Sequence, residues 1–365
     1  MRAPIAHRLR ARCLDRPLHA SVVMTRPELT ERLALVFEWY RGMVSPETGR
    51  LAYAYRPEED ATIVDGNPIR DIAAIWDLAL LSKFLARSEL RPVIERSLDH
   101  YTSLLVRHGP AWILDPQRLG EPSSIAHSAF LALARLASDH SERVVDLVDA
   151  IVGQQRNDGS YRIYFGDEPD DGVELYPGEA MLAIMETYAL TRDPRHLASV
   201  ERGFAFHRDR MPADEVDPRM IVFYANWQAQ YGSLLHAHSP ACRAGVRDYI
   251  FSLHDRVVRS GFYDRIERSP ATQANVEVAC ALEGIGDAYA IAQRERDAGR
   301  MDVYERCTWV ALSYLLRTQR LEDCTPRERG GFGHTLADRT QRIDVTGHVI
   351  GGFIKSVRNR IMVEA

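Results

Sequence analysis

A helical unit that recurs about every 50 residues constrains this chain more than any other feature of its sequence. Each unit contains two helices and ends in a turn-rich loop with aromatic residues. One unit pairs SSIAHSAFLALARLAS with ERVVDLVDAIVGQQ before the loop NDGSYRIYFGD, and the next pairs YPGEAMLAIMETYAL with DPRHLASVERGFAFHRD. Recurrence at a fixed spacing is typical of arrays of one supersecondary unit. The sequence therefore predicts a single array of helical hairpins.

The two helices of a unit differ in how their apolar residues are distributed. The first helix is rich in small side chains and is apolar on all sides, as in TQANVEVACALEGIGDAYAIAQ. The second helix has an apolar stripe on one side only, as in DVYERCTWVALSYLLRTQ. This difference predicts an inner ring of buried helices inside an outer ring. Because the last helix, RIDVTGHVIGGFIKSVRN, can pair with the opening helix, PELTERLALVFEWYRGM, we predict an all-α fold, an (α/α)6 toroid of six hairpins. An open α-solenoid contains the same helix pairs and is the alternative.

The toroid is expected to occupy residues 25–365. Residues 1–24 are rich in arginine and lack the apolar core of a secretory signal. We interpret them as a basic, disordered extension, with an organelle-type presequence or an overlong start as the alternatives. The strand-like pieces LAYAYR and SYRIYF are short enough to be small hairpins in loops.

Charge and hydropathy argue against nucleic-acid and membrane partners. Lys and Arg number 46 against 51 Asp and Glu, and no apolar run approaches the roughly 18 to 20 residues that span a bilayer. The five cysteines include no C-x-x-C pair and fit neither a disulfide framework nor a common zinc site. We therefore expect a soluble, cytoplasmic protein with a small-molecule or oligosaccharide substrate, and the oligomeric state stays open.

One long segment resembles known toroid enzymes. In VGQQRNDGSYRIYFGDEPDDGVELYPGEAMLAIMETYALTRDPRHLASVERGFAFH, an outer helix leads through an Asp-Gly-aromatic turn to an inner helix, a T-x-D-P turn and another outer helix. This order resembles the D-glucuronyl C5-epimerases and N-acylglucosamine 2-epimerases, and more distantly the terpenoid cyclases and protein prenyltransferase β subunits. The resemblance implies a substrate pocket over one end of the inner ring, with a tyrosine at the position of Tyr176.

A second segment, GGFGHTLADRTQRIDVTGHVIGGF, is similar to the glucuronyl epimerases, which have an Arg, an Asp and a His just before and within the final inner helix. The matching residues here are Arg342, Asp344 and His348. The Asp-to-His spacing is one residue shorter than in that family, and a neighbouring aromatic-plus-His pair is missing. The resemblance therefore implies a carbohydrate-active enzyme without fixing its reaction.

Other toroid chemistries match less well. A terpenoid cyclase needs an Asp-x-Asp-Asp acid on an inner helix, whereas the nearest acidic run, residues 167–171, lies in a loop. A prenyltransferase needs a cysteine ligand beside Asp344 and His348, and none accompanies them. The chain lacks P-loop, G-x-G-x-x-G, H-E-x-x-H and G-x-S-x-G motifs. We predict no cofactor and no obligate metal, and we keep a cyclase and a non-catalytic scaffold as alternatives.

Polar and aromatic residues near the inner-helix starts are the candidates for the pocket, because free N–H groups and the helix dipole there suit an anionic ligand. The catalytic candidates are Tyr176, Glu179, Asp344 and His348. The substrate-binding candidates are Arg70, Asp71, Trp76, His127, Tyr224, Asn226, Trp227, Asn275, Glu277 and Arg342. Each has a structural alternative, since carboxylates at helix starts stabilise the dipole and His or Trp in apolar helices often belongs to the core.

The leading hypothesis is an epimerase or isomerase that acts on a uronate-like or N-acyl sugar by acid/base proton transfer. A glycoside hydrolase or lyase is the nearest variant. Tyr176, Glu179 and His348 would supply the acid and the base, and Arg342 or Arg70 would hold an anionic group.

Asp344 and His348 are the most specific pair in this hypothesis. They lie at positions i and i+4 of one helix and can share a face. We therefore expect Asp344 to orient His348 and to raise the pKa of its imidazole.

Overall fold

The structure is a computed structural model that describes residues 25–64 and 66–361. The expected disordered extension, residues 1–24, lies outside this part. We number the long helices of the described residues α1 to α12 in chain order. They are Arg26–Met43, Pro68–Leu85, Arg91–Ser103, Ile125–Ala137, Val144–Gly153, Tyr176–Thr191, Pro194–Arg210, Ile221–His238, Arg243–Arg259, Asn275–Glu295, Ala298–Thr318 and Ile343–Arg358.

The even-numbered helices form a closed inner ring. Each packs on the next, from α2 through α4, α6, α8 and α10 to α12, and α12 returns to α2. Each odd-numbered helix packs outside two neighbouring inner helices, and α1 contacts both α2 and α12. The predicted (α/α)6 toroid is therefore confirmed, and the alternative prediction of an open α-solenoid is wrong.

Side chains from the two ends of the chain hold the ring closed. The indole Nε1 of Trp39 in α1 donates to Gln341 Oε1 over 2.6 Å, and the hydroxyl of Tyr40 donates to the carbonyl of Ile343 over 3.1 Å. A small sheet adds to this closure, because strand β1 (Ala54–Arg56) pairs with β2 (Ala61–Ile63) on one side and with Gln341–Arg342 (β5) on the other.

The short strands lie in the connecting loops. The predicted hairpin at LAYAYR is β1 with β2, whereas SYRIYF makes only single bridges, to Ser124 and Gln155. A second hairpin, β3 (Leu105–His108) with β4 (Ala111–Leu114), was not anticipated from the sequence. No helix of the described residues is both long and apolar enough to cross a membrane.

The connections at the two ends of the ring differ in length, and we name the ends accordingly. The segments that lead into inner helices are long and form the loop face: residues 44–67, 104–124, 154–175, 211–220, 260–274 and 319–342. The segments that leave inner helices are short and form the turn face: residues 86–90, 138–143, 192–193, 239–242 and 296–297.

Candidate functional site

A substrate site is expected at the loop face. Rigid helices that present long loops commonly carry binding and catalytic groups on those loops and at the adjoining helix ends. The N-terminal ends of the inner helices lie at this face. Tyr176 and Glu179 stand in the first turn of α6, Asp344 in the first turn of α12, and His348 one turn deeper.

His348 is the central titratable group, and its side chain is 21% exposed. Its Nδ1 lies 2.8 Å from Glu283 Oε2, and its ring centroid lies 5.8 Å from that of Trp227. Burial alone lowers the pKa of His348, but contacts with Cys280 and with the Glu283 carboxylate outweigh burial and hold the pKa well above its usual value. His348 is therefore an imidazolium paired with a carboxylate at neutral pH.

Glu283, on α10, is buried but remains ionised. Its Oε2 accepts a 3.2 Å hydrogen bond from Asn226 Nδ2 in addition to the one from His348, and Lys355 Nζ lies 3.5 Å from its Oε1. Burial raises the pKa of Glu283, but Lys355, His348 and Asn226 together lower it below its usual value. Gly351 on α12 makes room for this carboxylate, because a Cβ there would overlap Oε1.

Two further carboxyl groups lie near His348 and carry their protons. Glu179 is only 5% exposed, and its Oε2 has no hydrogen-bond partner among the described residues. Burial raises the pKa of Glu179 to about 8, and the charge of His348 opposes this only in part. Asp77 packs against the backbone of Gly347, and burial raises its pKa well above the usual range. Neighbouring groups whose pKa values are pushed apart are typical of acid/base sites.

Two arginines and a carboxylate meet at the loop face. Arg342 Nε donates to Asp344 Oδ1 over 3.0 Å, and Arg70 Nε lies 3.8 Å from Asp344 Oδ2. The guanidinium carbons of Arg70 and Arg342 lie 4.9 and 5.4 Å from the ring centroid of Tyr53. Three of the candidates from the sequence are thus brought together, and a site with two guanidinium groups suits an anionic substituent.

Tyr176 also belongs to the loop face, where it is half-buried. The Cα of Gly172, which has a φ of 60°, approaches the Tyr176 ring so closely that a Cβ would meet Cε2 at 2.8 Å. Burial raises the pKa of Tyr176, and Glu179, which is ionised at the high pH where a phenol titrates, raises it further. The phenol therefore stays protonated and can donate a hydrogen bond to a ligand.

The prediction that Asp344 orients His348 is wrong. Asp344 pairs with Arg342 and Arg70, whereas His348 pairs with Glu283 on the neighbouring inner helix. The two residues do lie one turn apart on α12. Arg342 and Arg70 at the edge of the ring pair with the Asp344 carboxylate. The imidazole of His348, one turn deeper, faces α10 and pairs with a residue of that helix.

Two of the proposed substrate-binding residues anchor loops to the ring. The carboxylate of Asp71 accepts hydrogen bonds from the Leu51 amide over 2.9 Å and from the Tyr101 hydroxyl over 2.6 Å. Asn275 Nδ2 donates to the carbonyl of Gly333 over 2.6 Å. Both side chains are buried in these contacts, so a structural role accounts for the presence of Asp71 and Asn275.

Two others join inner helices to neighbouring elements. His127 Nε2 lies 2.8 Å from Glu121 Oε1, in the loop before α4. The hydroxyl of Tyr224 lies 2.7 Å from that of Tyr249, on outer helix α9. Neither contact involves the group around His348.

The last two candidates lie on the inner helices α2 and α10. Trp76 lines a cavity that opens at the turn face, and its ring centroid is 6.0 Å from that of Phe130. Glu277 is half-buried in the first turn of α10.

Sequence reasoning missed Glu283, Lys355 and Tyr53. The first two did leave a signal, since a charged residue within an apolar inner helix must find a partner or cause a large loss of stability. Glu283 stands in ACALEGIG and Lys355 in GGFIKSV. Tyr53 lies in a loop strand, where nothing distinguished it from the neighbouring aromatic residues.

No group of three or more His, Cys, Asp or Glu side chains in residues 25–64 and 66–361 is arranged to hold a metal ion. Cys242, Cys280, Cys307 and Cys324 form no disulfide with one another. The absence of a resident metal remains a prediction.

Comparison with known proteins supports the fold and leaves the activity open. No protein-family model and no curated protein sequence matches this chain. Among solved structures, a D-mannose isomerase aligns with a TM-score of 0.68 at 10% identity, covering 92% of this chain and 98% of its own. An unsaturated glucuronyl hydrolase specific for heparin aligns with a TM-score of 0.65 at 8% identity, covering 92% and 99%.

Two further solved structures are similar over their whole length. A sugar epimerase from a ruminal bacterium has a TM-score of 0.60 at 11% identity, covering 90% of this chain and 98% of its own. The type II terpene cyclase MstE from Scytonema has a TM-score of 0.57 at 11% identity, covering 91% and 99%. One architecture thus serves isomerases, hydrolases and cyclases, so the function must be argued from the site.

Proposed function

We propose that this protein is a carbohydrate-active enzyme, an epimerase or isomerase that moves a proton on a uronate-like or N-acyl sugar. The observation that carries the proposal is the charged centre of the ring, where the imidazolium of His348 is fixed by Glu283 near the protonated carboxyl of Glu179. A cationic proton donor beside a carboxyl group whose pKa is about 8 suits a reversible proton transfer near neutral pH. Three of the similar folds above belong to sugar-converting enzymes, which supports the same class of substrate.

Glu179 and His348 would act on opposite faces of one carbon atom. With a pKa of about 8, Glu179 is ionised in a minor fraction of molecules at neutral pH, and in that form it can act as the base. Its carboxylate takes the proton from a carbon next to a carbonyl group, and the electron pair of the broken C–H bond moves to the carbonyl oxygen as an enolate. His348 then gives its proton to the other face of that carbon. Glu179 ends protonated and His348 ends neutral, and proton exchange with water restores both groups.

The loop-face cluster would bind the substrate. Arg70 and Arg342 would hold a carboxylate or another anionic substituent by charge-assisted hydrogen bonds, and Tyr176 would donate to a hydroxyl or carbonyl oxygen. In this proposal Glu283 takes the orienting role that the sequence assigned to Asp344. Asp344 would instead position the two arginines.

The other functions considered have less support. A terpene cyclase would be served best by a large, mostly apolar cavity, and a scaffold by a centre filled with bulky apolar side chains. The described centre holds several titratable groups that are difficult to account for as packing alone. We also propose a cytoplasmic location, on the grounds of the cysteine pattern.

Solvent-exchange measurements test the proposal directly. The protein is incubated in D₂O with glucuronate-type sugars, N-acetylglucosamine and mannose, and ¹H NMR follows the loss of each carbon-bound proton. We expect exchange at one sugar carbon, and a loss of at least about 100-fold in His348→Gln and Glu179→Gln. Exposed residues of the same types, in His108→Gln and Glu267→Gln, serve as controls. Absence of exchange with every sugar would remove the epimerase, and wild-type rates in both central variants would reject the assigned residues.

Stability must be followed in parallel. A glutamine at position 348 can still donate to Glu283, so the thermal midpoint of His348→Gln should stay close to that of the wild type. If this variant unfolds early while activity per folded molecule is retained, His348 is a structural residue.

A further inference from the structure

The turn face contains a cavity whose lining includes neither His348 nor Glu179, the two groups proposed to move the proton. Its volume is about 540 Å³, within the range of small-molecule sites. It reaches from the short turns down to Trp76 and Glu283 at mid-height of the ring. Glu283 lies between this cavity and His348, whereas the arginines and Tyr176 of the loop face lie at the opposite ends of the inner helices.

One side of this cavity is mainly apolar and the other is mainly polar. Helices α2, α4 and α6 contribute leucines together with Lys83 and Glu186; the leucines are Leu80, Leu133, Leu136 and Leu182. Helices α8, α10 and α12 contribute mainly polar and charged side chains: Gln230, Ser233, Glu283, Asp287, Arg294, Lys355, Arg358 and Asn359. Such a division suits a ligand with an apolar body and a polar or charged head.

Charge pairing decides the sign of that head. Lys355 Nζ lies 2.7 Å from Asp287 Oδ2 and 3.5 Å from Glu283 Oε1, so this lysine and these two carboxylates form one compact group. Lys83 pairs at the rim with Asp139 over 2.8 Å. Because His348 also pairs with Glu283, these four lining residues leave little charge for a ligand.

The remaining charges are two arginines and one glutamate. Arg294 uses Nη1 for Ser233. Arg358 and Glu186 are both exposed, and no hydrogen bond or ion pair within 4 Å joins either of them to another residue of the described part, although the charge of Arg358 does act on Glu186. Two guanidinium groups thus face a single carboxyl group, so the cavity favours an anion.

We propose that the turn-face cavity is a second ligand site, which binds a small amphipathic carboxylate with its anionic head on Arg294 and Arg358 and its apolar body on the leucine wall. A structural explanation of the two arginines exists, since basic residues near helix C-termini stabilise the helix dipole. That explanation accounts for their charge but not for the open volume opposite the leucines.

Three probes separate the contributions of head and body. Phenylacetate has both, phenylacetamide has the body without the charge, and acetate has the charge without the body. Binding is measured by isothermal titration calorimetry on the full-length protein, without turnover, so its result is independent of the proposed epimerase activity. We expect phenylacetate to bind at one site, at least ten times more tightly than either of the other two probes.

Variants then locate the bound probe. Arg358→Gln should weaken phenylacetate binding at least tenfold, and Ala137→Trp, which fills the apolar side, should abolish it. Arg70→Gln, at the loop face, should leave it unchanged. Loss of binding in Arg70→Gln but not in Arg358→Gln would move the anion to the loop face and overturn the proposal. Equal binding of phenylacetamide, or no saturable binding of phenylacetate up to about 10 mM, would also overturn it.

Discussion

Glu179 shows how a single side chain can connect catalysis with stability. Its pKa is about 8 in the folded protein, against an ordinary value of 4.5. Between these values the folded state holds a proton that the unfolded state releases, so unfolding becomes easier as the pH rises. The contribution of Glu179 to stability is complete below pH 4.5 and is lost as the pH rises through about 8.

Glu179→Gln should remove this pH dependence. Relative to the wild type, the variant should gain stability between pH 5 and pH 9, by at most about 5 kcal/mol. Urea unfolding at several pH values measures the difference, and Glu267→Gln, an exposed glutamate, should show no such gain. Parallel curves for wild type and Glu179→Gln would mean that the pKa of Glu179 is ordinary.

The sequence could identify His348 but not its partner. Within one helix, only residues three or four positions away are predictable neighbours, and Asp344 satisfied that rule. Glu283 is 65 residues away, on a helix that meets α12 only in the folded ring. The contact between Lys355 and Glu283 could not be predicted for the same reason. Both contacts of Glu283, with His348 and with Lys355, depend on how α10 and α12 are rotated about their own axes.

At the scale of helices, α10 and α12 are joined by the chain of charges from His348 through Glu283 to Lys355. The ammonium of Lys355 helps to keep Glu283 ionised, and ionised Glu283 helps to hold the proton on His348. Groups on α2 and α6, Asp77 and Glu179, also face this histidine. The charge on the imidazole therefore depends on four inner helices.

Lys355→Met should raise the pKa of His348, because it removes a cation that shares the Glu283 carboxylate with the imidazole. NMR titration of the imidazole, assigned by comparison with His348→Gln, measures this pKa. Lys355→Arg keeps the charge and should preserve it, and Lys83→Met, at the rim of the same cavity, is the matched control. Lys355→Met should also destabilise the fold by about 3 kcal/mol or more, since it leaves buried carboxylates unpaired. An unchanged titration in a folded Lys355→Met protein would break the proposed link.

Close packing of α10 against α12 depends on a glycine. Gly351→Ala would push a methyl group into Glu283 Oε1, and we expect a loss of about 1 to 3 kcal/mol. Gly42→Ala, in α1, meets no atom within 4 Å and should be neutral or stabilise by up to about 1 kcal/mol. Thermal and chemical unfolding compare the two. Equal effects would show that the Glu283 site can relax around the extra methyl group.

At the scale of the molecule, the hairpin order was predictable because it depends on local periodicity. The apolar character of α10 and the stripe of α11 already indicated inner and outer positions. The sequence also suggested closure, through the pairing of the last helix with the first. It could not show that the long connections gather on one face and leave a cavity at the other, because cavity shape depends on side chains from all six inner helices.

Closure makes a prediction about how the whole protein opens. In an open helical array the terminal unit has one neighbour and can unfold alone, whereas α12 in the ring contacts α2, α10 and α1. Native-state hydrogen exchange should therefore give the amides of α12 an opening free energy within about 1 kcal/mol of those of α6.

A variant that weakens the closure provides the comparison. Trp39→Phe removes the hydrogen bond to Gln341 and leaves a buried amide oxygen without that donor, so it should destabilise α12 by about 1 to 3 kcal/mol. Exchange in α12 should then become faster than in α6. If the opening free energy of the amides in wild-type α12 is already several kcal/mol below that of the amides in α6, the contacts of α12 with α1 and α2 contribute little. The ring would then behave in solution as an open array.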